Sequence, residues 1–251
     1  MVKPKTEEEI ELLRENAIIV SKTLAEVGKI VAPGVTTLEL NRVAETFIRD
    51  NGAIPSFLGF EGFPAALCLS VNDVVVHGFP SNYVLKEGDI VSVDVGAFYK
   101  GFHGDCAATY ACGAISTEAQ KLIDVTKQSF FEGIRFARKG NRVQDISHAV
   151  QTYVESNGFS VVRSFVGHGV GRQLHEEPEV PNFGAPGRGP RLLPGMTIAV
   201  EPMVNVGTYE VEVLSDGWTT VTADGKLAAH YENTVLITDG EPEILTVTEE
   251  L

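Results

Sequence analysis

Two stretches of the chain, about a hundred residues apart, carry the same order of features, and this repetition restricts the fold more than any other property of the sequence. Shifting by 106 places Gly34 on Gly140, Leu40 on Ile146, Thr46 on Thr152, Phe47 on Tyr153, Ile48 on Val154 and Asn51-Gly52 on Asn157-Gly158. The first copy opens with Ile10, Leu13, Ala17, Val20, Leu24, Val27 and Val31 at steps of three and four behind the capping box Thr6-x-x-Glu9, which predicts an amphipathic helix stopped by Pro33-Gly34. A second helix follows Thr36-x-x-Glu39 and closes at Asn51-Gly52. β-branched runs come next, at Val74-Val75-Val76 and over residues 90–95. The second copy repeats the pattern, with a third helix opening at Thr117-x-x-Gln120 and a fourth carrying Val143, Ile146, Val150 and Val154. A unit of this size is too long for a solenoid repeat. The expectation is an α+β fold in one domain, residues 1–251, built from halves at about 7–112 and 113–238.

Twenty Lys and Arg against thirty-four Asp and Glu leave a formal charge of −14, so no broad basic surface exists for gripping a phosphate backbone, and nucleic acid is not an expected partner. No window is apolar enough for a membrane span, and the first ten residues lack the apolar stretch of an export signal. Three cysteines, Cys68, Cys106 and Cys112, form no C-x-x-C pair, which fits a reducing cytoplasm.

The duplication also aligns two acids. Shifting by 107 puts Gly88-Asp-Ile-Val-Ser-Val-Asp94 on Gly195-Met-Thr-Ile-Ala-Val-Glu201, so Asp94 and Glu201 hold equivalent strand positions where an apolar residue is expected. One such acid reads as a solvated edge residue; two at equivalent places weaken that reading. A hairpin centred on Tyr99-Lys100 would set Asp94 directly opposite Asp105 on one face, and like charges so placed need a cation between them. The second half adds His168, His175, Glu201 and Glu232. Carboxylates with an imidazole suit a first-row divalent ion, and bridging carboxylates suit a pair of them. His175-Glu176-Glu177 is not followed by the second histidine of the helical zinc-protease motif, so any ligands are dispersed. Taken singly, His77 behind its valine run reads as a core residue; His103, beside Asp105, and His230, two residues before Glu232, could touch the site but read first as structural or hydrogen-bonding groups; and His148 reads as a helix surface or interface residue.

Ser70-Val-Asn-Asp-Val-Val-Val-His77-Gly, Asp94-Val-Gly, Asp105, Gly167-His168-Gly-Val-Gly-Arg, His175-Glu-Glu-Pro, Glu201-Pro-Met and Tyr231-Glu232-Asn-Thr together resemble the methionine aminopeptidases, within the pita-bread fold shared with prolidases and creatinases. The resemblance runs from the first helix through Ile237. It implies pseudo-twofold helix pairs packed on one face of a curved antiparallel sheet, and a dinuclear centre of cobalt, manganese, iron or zinc. Asp94 would hold one metal and His168 the other, with Asp105 and Glu232 bridging both and Glu201 binding on the His168 side while serving as general base. His77 and His175 would contact the scissile amide and stabilise the tetrahedral intermediate.

The same resemblance places Phe57, Phe60, Phe63, Cys68, Leu174 and Trp218 around the substrate side chain, although Phe57, Val76 and Leu174 depart from the residues frequent in bacterial members. Only about thirty residues precede Pro33-Gly34, and 31 separate Glu201 from Glu232, which leaves no room for the extra domain of prolidases or the insert of the second aminopeptidase type. The implied protein is the short first type: a cytoplasmic monomer acting on the N-termini of nascent polypeptides, preferring a small second residue. A transient ribosome contact would draw on Arg135, Arg138, Lys139 and Arg142, a cluster that equally completes a helix C-terminus. An Xaa-Pro peptidase and an inactive pita-bread binding protein are the competing readings.

Overall fold

A computed structural model describes residues 3–247; residues 1, 2 and 248–251, included in the single-domain reading, lie outside the described residues. In chain order the elements are α1 (Glu7–Lys29), α2 (Thr37–Asp50), β1 (Ile54–Pro55), β2 (Leu67–Val71), β3 (Val74–Val76), β4 (Ile90–Tyr99), β5 (Phe102–Ala111), α3 (Thr117–Ile134) and α4 (Val143–Ser156). They continue as β6 (Ser160–Val161), β7 (Gly167–Gly169), β8 (Glu176–Val180), β9 (Thr197–Val200), β10 (Met203–Asn205), β11 (Val211–Val213), β12 (Thr220–Thr222), β13 (Ala228–His230), β14 (Glu232–Leu236) and β15 (Glu243–Ile244).

The helices start where side chains can satisfy their free N–H groups. Thr6 accepts from the Glu9 N–H while Glu9 accepts from the Thr6 N–H, the reciprocal cap expected from the sequence. The third helix begins one residue earlier in its cap than expected, because the Ser116 hydroxyl accepts from Ala119 N–H and Thr117 is already helical.

The nine-stranded sheet runs β1-β4-β5-β14-β9-β7-β8, with β2 beside β4 and β15 beside β14. Its pairings are antiparallel, and the order β2-β4-β5 on one side mirrors β7-β9-β14 on the other. Alternation then separates two faces. Val91, Val93, Val95 and Cys106 pack with Val20, Leu24, Leu40 and Ile48 of α1 and α2, whereas Ile198, Val200 and Val235 pack with Leu122, Phe130, Ile146 and Val150 of α3 and α4. Each of these fully buried aliphatic or aromatic side chains contributes roughly 1.5–3 kcal/mol relative to exposure. The helices therefore cover one face, and residues between these inward positions, Asp94 among them, point to the other.

The β4–β5 register corrects the expected hairpin. Tyr99 pairs Phe102 across a two-residue turn, so Asp94 faces Ala107 and Asp105 faces Gly96. Lys100 and Gly101 both have positive φ, 47° and 92°, the backbone that lets a two-residue turn follow the strand twist. The centre lies one residue further along than Tyr99-Lys100. Since the pairing moves by two residues, both aspartates stay on one face as diagonal neighbours.

Candidate metal centre

Strand register builds the site. Asp94 on β4 pairs Ala107 on β5, and Ala107 pairs Glu232 on β14. The β14–β9 ladder pairs Asn233 with Val200, so its next step sets Glu232 against Glu201. A row across four strands thus carries three acids on the helix-free face, and Asp105 lies two residues along β5 from Ala107. β7 joins from the far side: Gly169 pairs Ile198, which sets His168 opposite Ala199, on the face of Glu201.

The side chains converge. His168 Nε2 lies 3.5 Å from Glu201 Oε1 and 3.9 Å from Asp105 Oδ2. His168 Nδ1 is 2.9 Å from the Gly169 carbonyl oxygen, which can only accept, so Nδ1 bears the proton and Nε2 presents its lone pair to the acids. The Thr234 hydroxyl donates to the Asp105 carbonyl and the Asn182 amide to that of Glu201, fixing the backbone on both sides.

Burial drives the electrostatics. It raises Asp94 to about 7 against an opposing hydrogen bond with Asp105, and lifts Asp105, Glu201 and Glu232 well above the carboxylate range, with neighbouring acids adding to the effect. Burial lowers His77 and His168 to about 4, with His175 contributing. Among the described residues no Lys or Arg lines the cavity to balance these acids. Asp94 Oδ1, Asp105 Oδ1 and Glu232 Oε1 are buried without a hydrogen-bond partner. Four clustered carboxyls, three of them with an orphaned oxygen, and no fixed cation beside them fit divalent metal. Ligand atoms of Asp105, His168 and Glu232 lie within 4.8 Å of one another, as do those of Asp94, His230 and Glu232.

His77 and His175 border the same cavity of about 600 Å³. His77 follows β3 on a turn with φ of 60°, and Gly78 behind it cannot carry a side chain, since a Cβ would stand 2.3 Å from the Leu69 carbonyl oxygen. The His77 ring meets Phe165 edge-on at 5.3 Å, and His175 meets His168 at 4.4 Å and Phe60 at 5.2 Å. Beside them Phe57, Phe60, Phe63, Cys68, Leu174 and Trp218 form one apolar cluster, with Phe63 and Trp218 T-shaped at 5.1 Å. Asp216 accepts from the Trp218 N–H and so sets the turn that presents this indole.

Every site residue expected from the sequence borders this one cavity. His103 does not: its Nδ1 meets the Ser56 hydroxyl at 2.9 Å and its ring packs on Phe98. His148 lies on α4, its Nδ1 3.2 Å from the Gly184 carbonyl. Phe79 packs against the apolar cluster from the irregular segment Gly78-Phe79-Pro80, where no periodicity marks it. His230 reaches the acids, the contact that its place two residues before Glu232 left open.

Comparison with known proteins agrees with this geometry. The pattern of metallopeptidase family M24 matches residues 11–239. A methionine aminopeptidase of Clostridium perfringens is 60% identical over 247 residues, 98% of this chain and 99% of its own. The crystal structure of a methionine aminopeptidase from Thermotoga maritima superposes with a TM-score of 0.96 at 46% identity, covering 98% of this chain and 99% of that one. A prolidase from Pyrococcus furiosus shares the fold at a TM-score of 0.81 and 22% identity, with 98% of this chain covering 66% of that longer one. The chain belongs to metallopeptidase family M24, among its short, first-type methionine aminopeptidases.

Proposed function

We propose that the chain removes the N-terminal methionine of nascent polypeptides and peptides, preferring a small second residue, with two divalent ions held by Asp94, Asp105, His168, Glu201 and Glu232. The observation that carries this reading is the set of four carboxyls, three buried and Asp94 half-buried, without a counter-cation, opening beside an apolar pocket lined by Phe63, Cys68 and Trp218. Cobalt, manganese, iron and zinc all suit such oxygen and nitrogen donors. When bound, ions of this kind polarise a carbonyl and make water nucleophilic near neutral pH.

The chain's own groups supply the rest. The apolar cluster takes an unbranched thioether side chain, and the sulfur of Cys68 and the rings of Phe63 and Trp218 are favourable neighbours for it. Glu201, at the edge of the row, takes the proton of the attacking water and returns it to the leaving amine. Burial and the neighbouring His175 keep His77 neutral at working pH, so its ring can donate one hydrogen bond to the scissile amide while His175 meets the developing oxyanion. We further propose that residues 1–251 form one catalytic domain of two halves, 7–112 and 113–238, acting as a cytoplasmic monomer. No helix among the described residues is long and apolar enough to cross a membrane. Arg135, Arg138 and Lys139 pair with Glu132, Glu241 and Asp239, so a transient ribosome contact through this cluster would have to displace those pairs.

Glu201→Ala is expected to abolish turnover of Met-Ala-Ser while circular dichroism keeps the native spectrum. Undiminished turnover would remove Glu201 from the proton transfer.

A further inference from the structure

His230 stands outside the five-ligand set, yet its surroundings are those of a ligand. It and Glu232 flank Tyr231, so alternation sends both side chains to the same face. Its backbone is clamped: the His230 N–H donates to Thr109 Oγ1 at 2.9 Å, and the Thr109 hydroxyl donates to the His230 carbonyl at 2.8 Å. That uses the only Thr109 hydroxyl proton, so Ser92, 2.8 Å away, donates to Thr109 and closes the network. The ring thus leaves a rigid base.

Its Nε2 has no hydrogen-bond partner in a residue only 2% exposed. The nearest carboxylate oxygens, on Glu232 and Glu201, stand 3.7 and 3.9 Å away, beyond direct hydrogen bonding. They match instead the spacing of two donors around one ion, which lies about 2.0–2.2 Å from each. Atoms of Asp94, His230 and Glu232 fall within 4.8 Å of one another.

We propose that His230 Nε2 is a metal ligand on the Asp94–Glu232 side of the centre. The assignment rests on the metallopeptidase reading above and changes its donor count. Each half then has one aspartate, the shared Glu232 and one imidazole: Asp105 with His168, and Asp94 with His230. A carboxylate-only half would suit manganese or magnesium, whereas an added imidazole shifts it towards cobalt, iron or zinc.

The test uses the full chain with histidines labelled in ¹⁵N, titrated with cobalt(II) alone. Two hyperfine-shifted, exchangeable imidazole N–H signals are expected in the unmodified protein, one lost in His168→Gln and the other in His230→Gln. Calorimetry of His230→Gln should show a weaker Kd for one ion by about tenfold or more. Two bound equivalents of cobalt with a single shifted imidazole signal in the unmodified protein would overturn the assignment, whether or not the variants fold. Failure to bind cobalt at all would overturn the whole centre, a distinguishable outcome.

Discussion

Stripped of divalent ions, the protein is expected to lose stability as pH rises above about 6.5, the ordinary histidine value. Burial raises Asp94 to about 7 and holds Asp105, Glu201 and Glu232 well above the usual range, whereas an unfolded chain releases these protons near pH 4. Between the two values the folded state binds more protons, so stability is full below about pH 4 and declines by about 1.4 kcal/mol per pH unit for each such proton. The histidines act with opposite sign. Burial lowers His77 and His168 to about 4 and His230 to about 3, so the unfolded chain binds more protons up to about 6.5 and stability rises over that interval. The contributions offset below pH 6.5, and only the carboxyls act above it. Asp94, at about 7, gives a slope approaching about 1.4 kcal/mol per pH unit, and its raised neighbours act in the same direction, an effect large against a typical total of about 5–15 kcal/mol. Bound ions keep the carboxylates ionised and should flatten the slope. Urea unfolding from about pH 6.5 to 8, in chelator and in manganese, measures both. A flat or rising stability in chelator, or the same slope with manganese, would refute this account of the buried acids.

Two substitutions test the walls of the site. Gly96→Ala would place a Cβ 2.7 Å from Phe57 Cε1 and 3.0 Å from Ser56 Cβ, displacing Phe57 into the pocket. KM for methionyl peptides should rise several-fold, with a stability loss of about 1–3 kcal/mol; an unchanged KM by steady-state kinetics would count against Phe57 as a pocket wall. Lys5 Nζ lies 2.7 Å from Glu176 Oε2, and Glu176 accepts from the Gln173 N–H, so this pair ties the segment bearing Leu174 and His175 to the start of the chain. Lys5→Met should lower kcat/KM several-fold and cost about 1–3 kcal/mol of stability, since both side chains are mostly buried and Glu176 loses its cation; thermal melting with kinetics separates the two effects.

What could be read in the sequence follows from the range of each interaction. The four helices are local objects, set by apolar spacing and by caps such as Thr6 with Glu9, and they form where periodicity puts them. The hairpin register is not local in the same sense. It turns on Lys100 adopting φ of 47°, a conformation that a lysine does not advertise, with only Gly101 as a hint. The acids were readable because a charge among valines violates strand patterning twice, at Asp94 and at Glu201. His230 is legible only in part: its alternation with Glu232 puts the two on one face, but its 3.9 Å approach to Glu201 joins segments far apart in the chain. Phe79, which packs against the apolar cluster, is likewise unmarked in the sequence, because its ring partner Phe63 comes from a different segment.

The most direct test of the central claim is a panel of tripeptides varied at the first two positions, assayed after chelation and again after divalent metal is restored. Hydrolysis of Met-Ala-Ser should vanish on chelation, return with metal, fall when the second residue is bulky, and exceed that of any Xaa-Pro peptide. Cleavage that persists without metal, or a clear preference for Xaa-Pro peptides, would contradict the account.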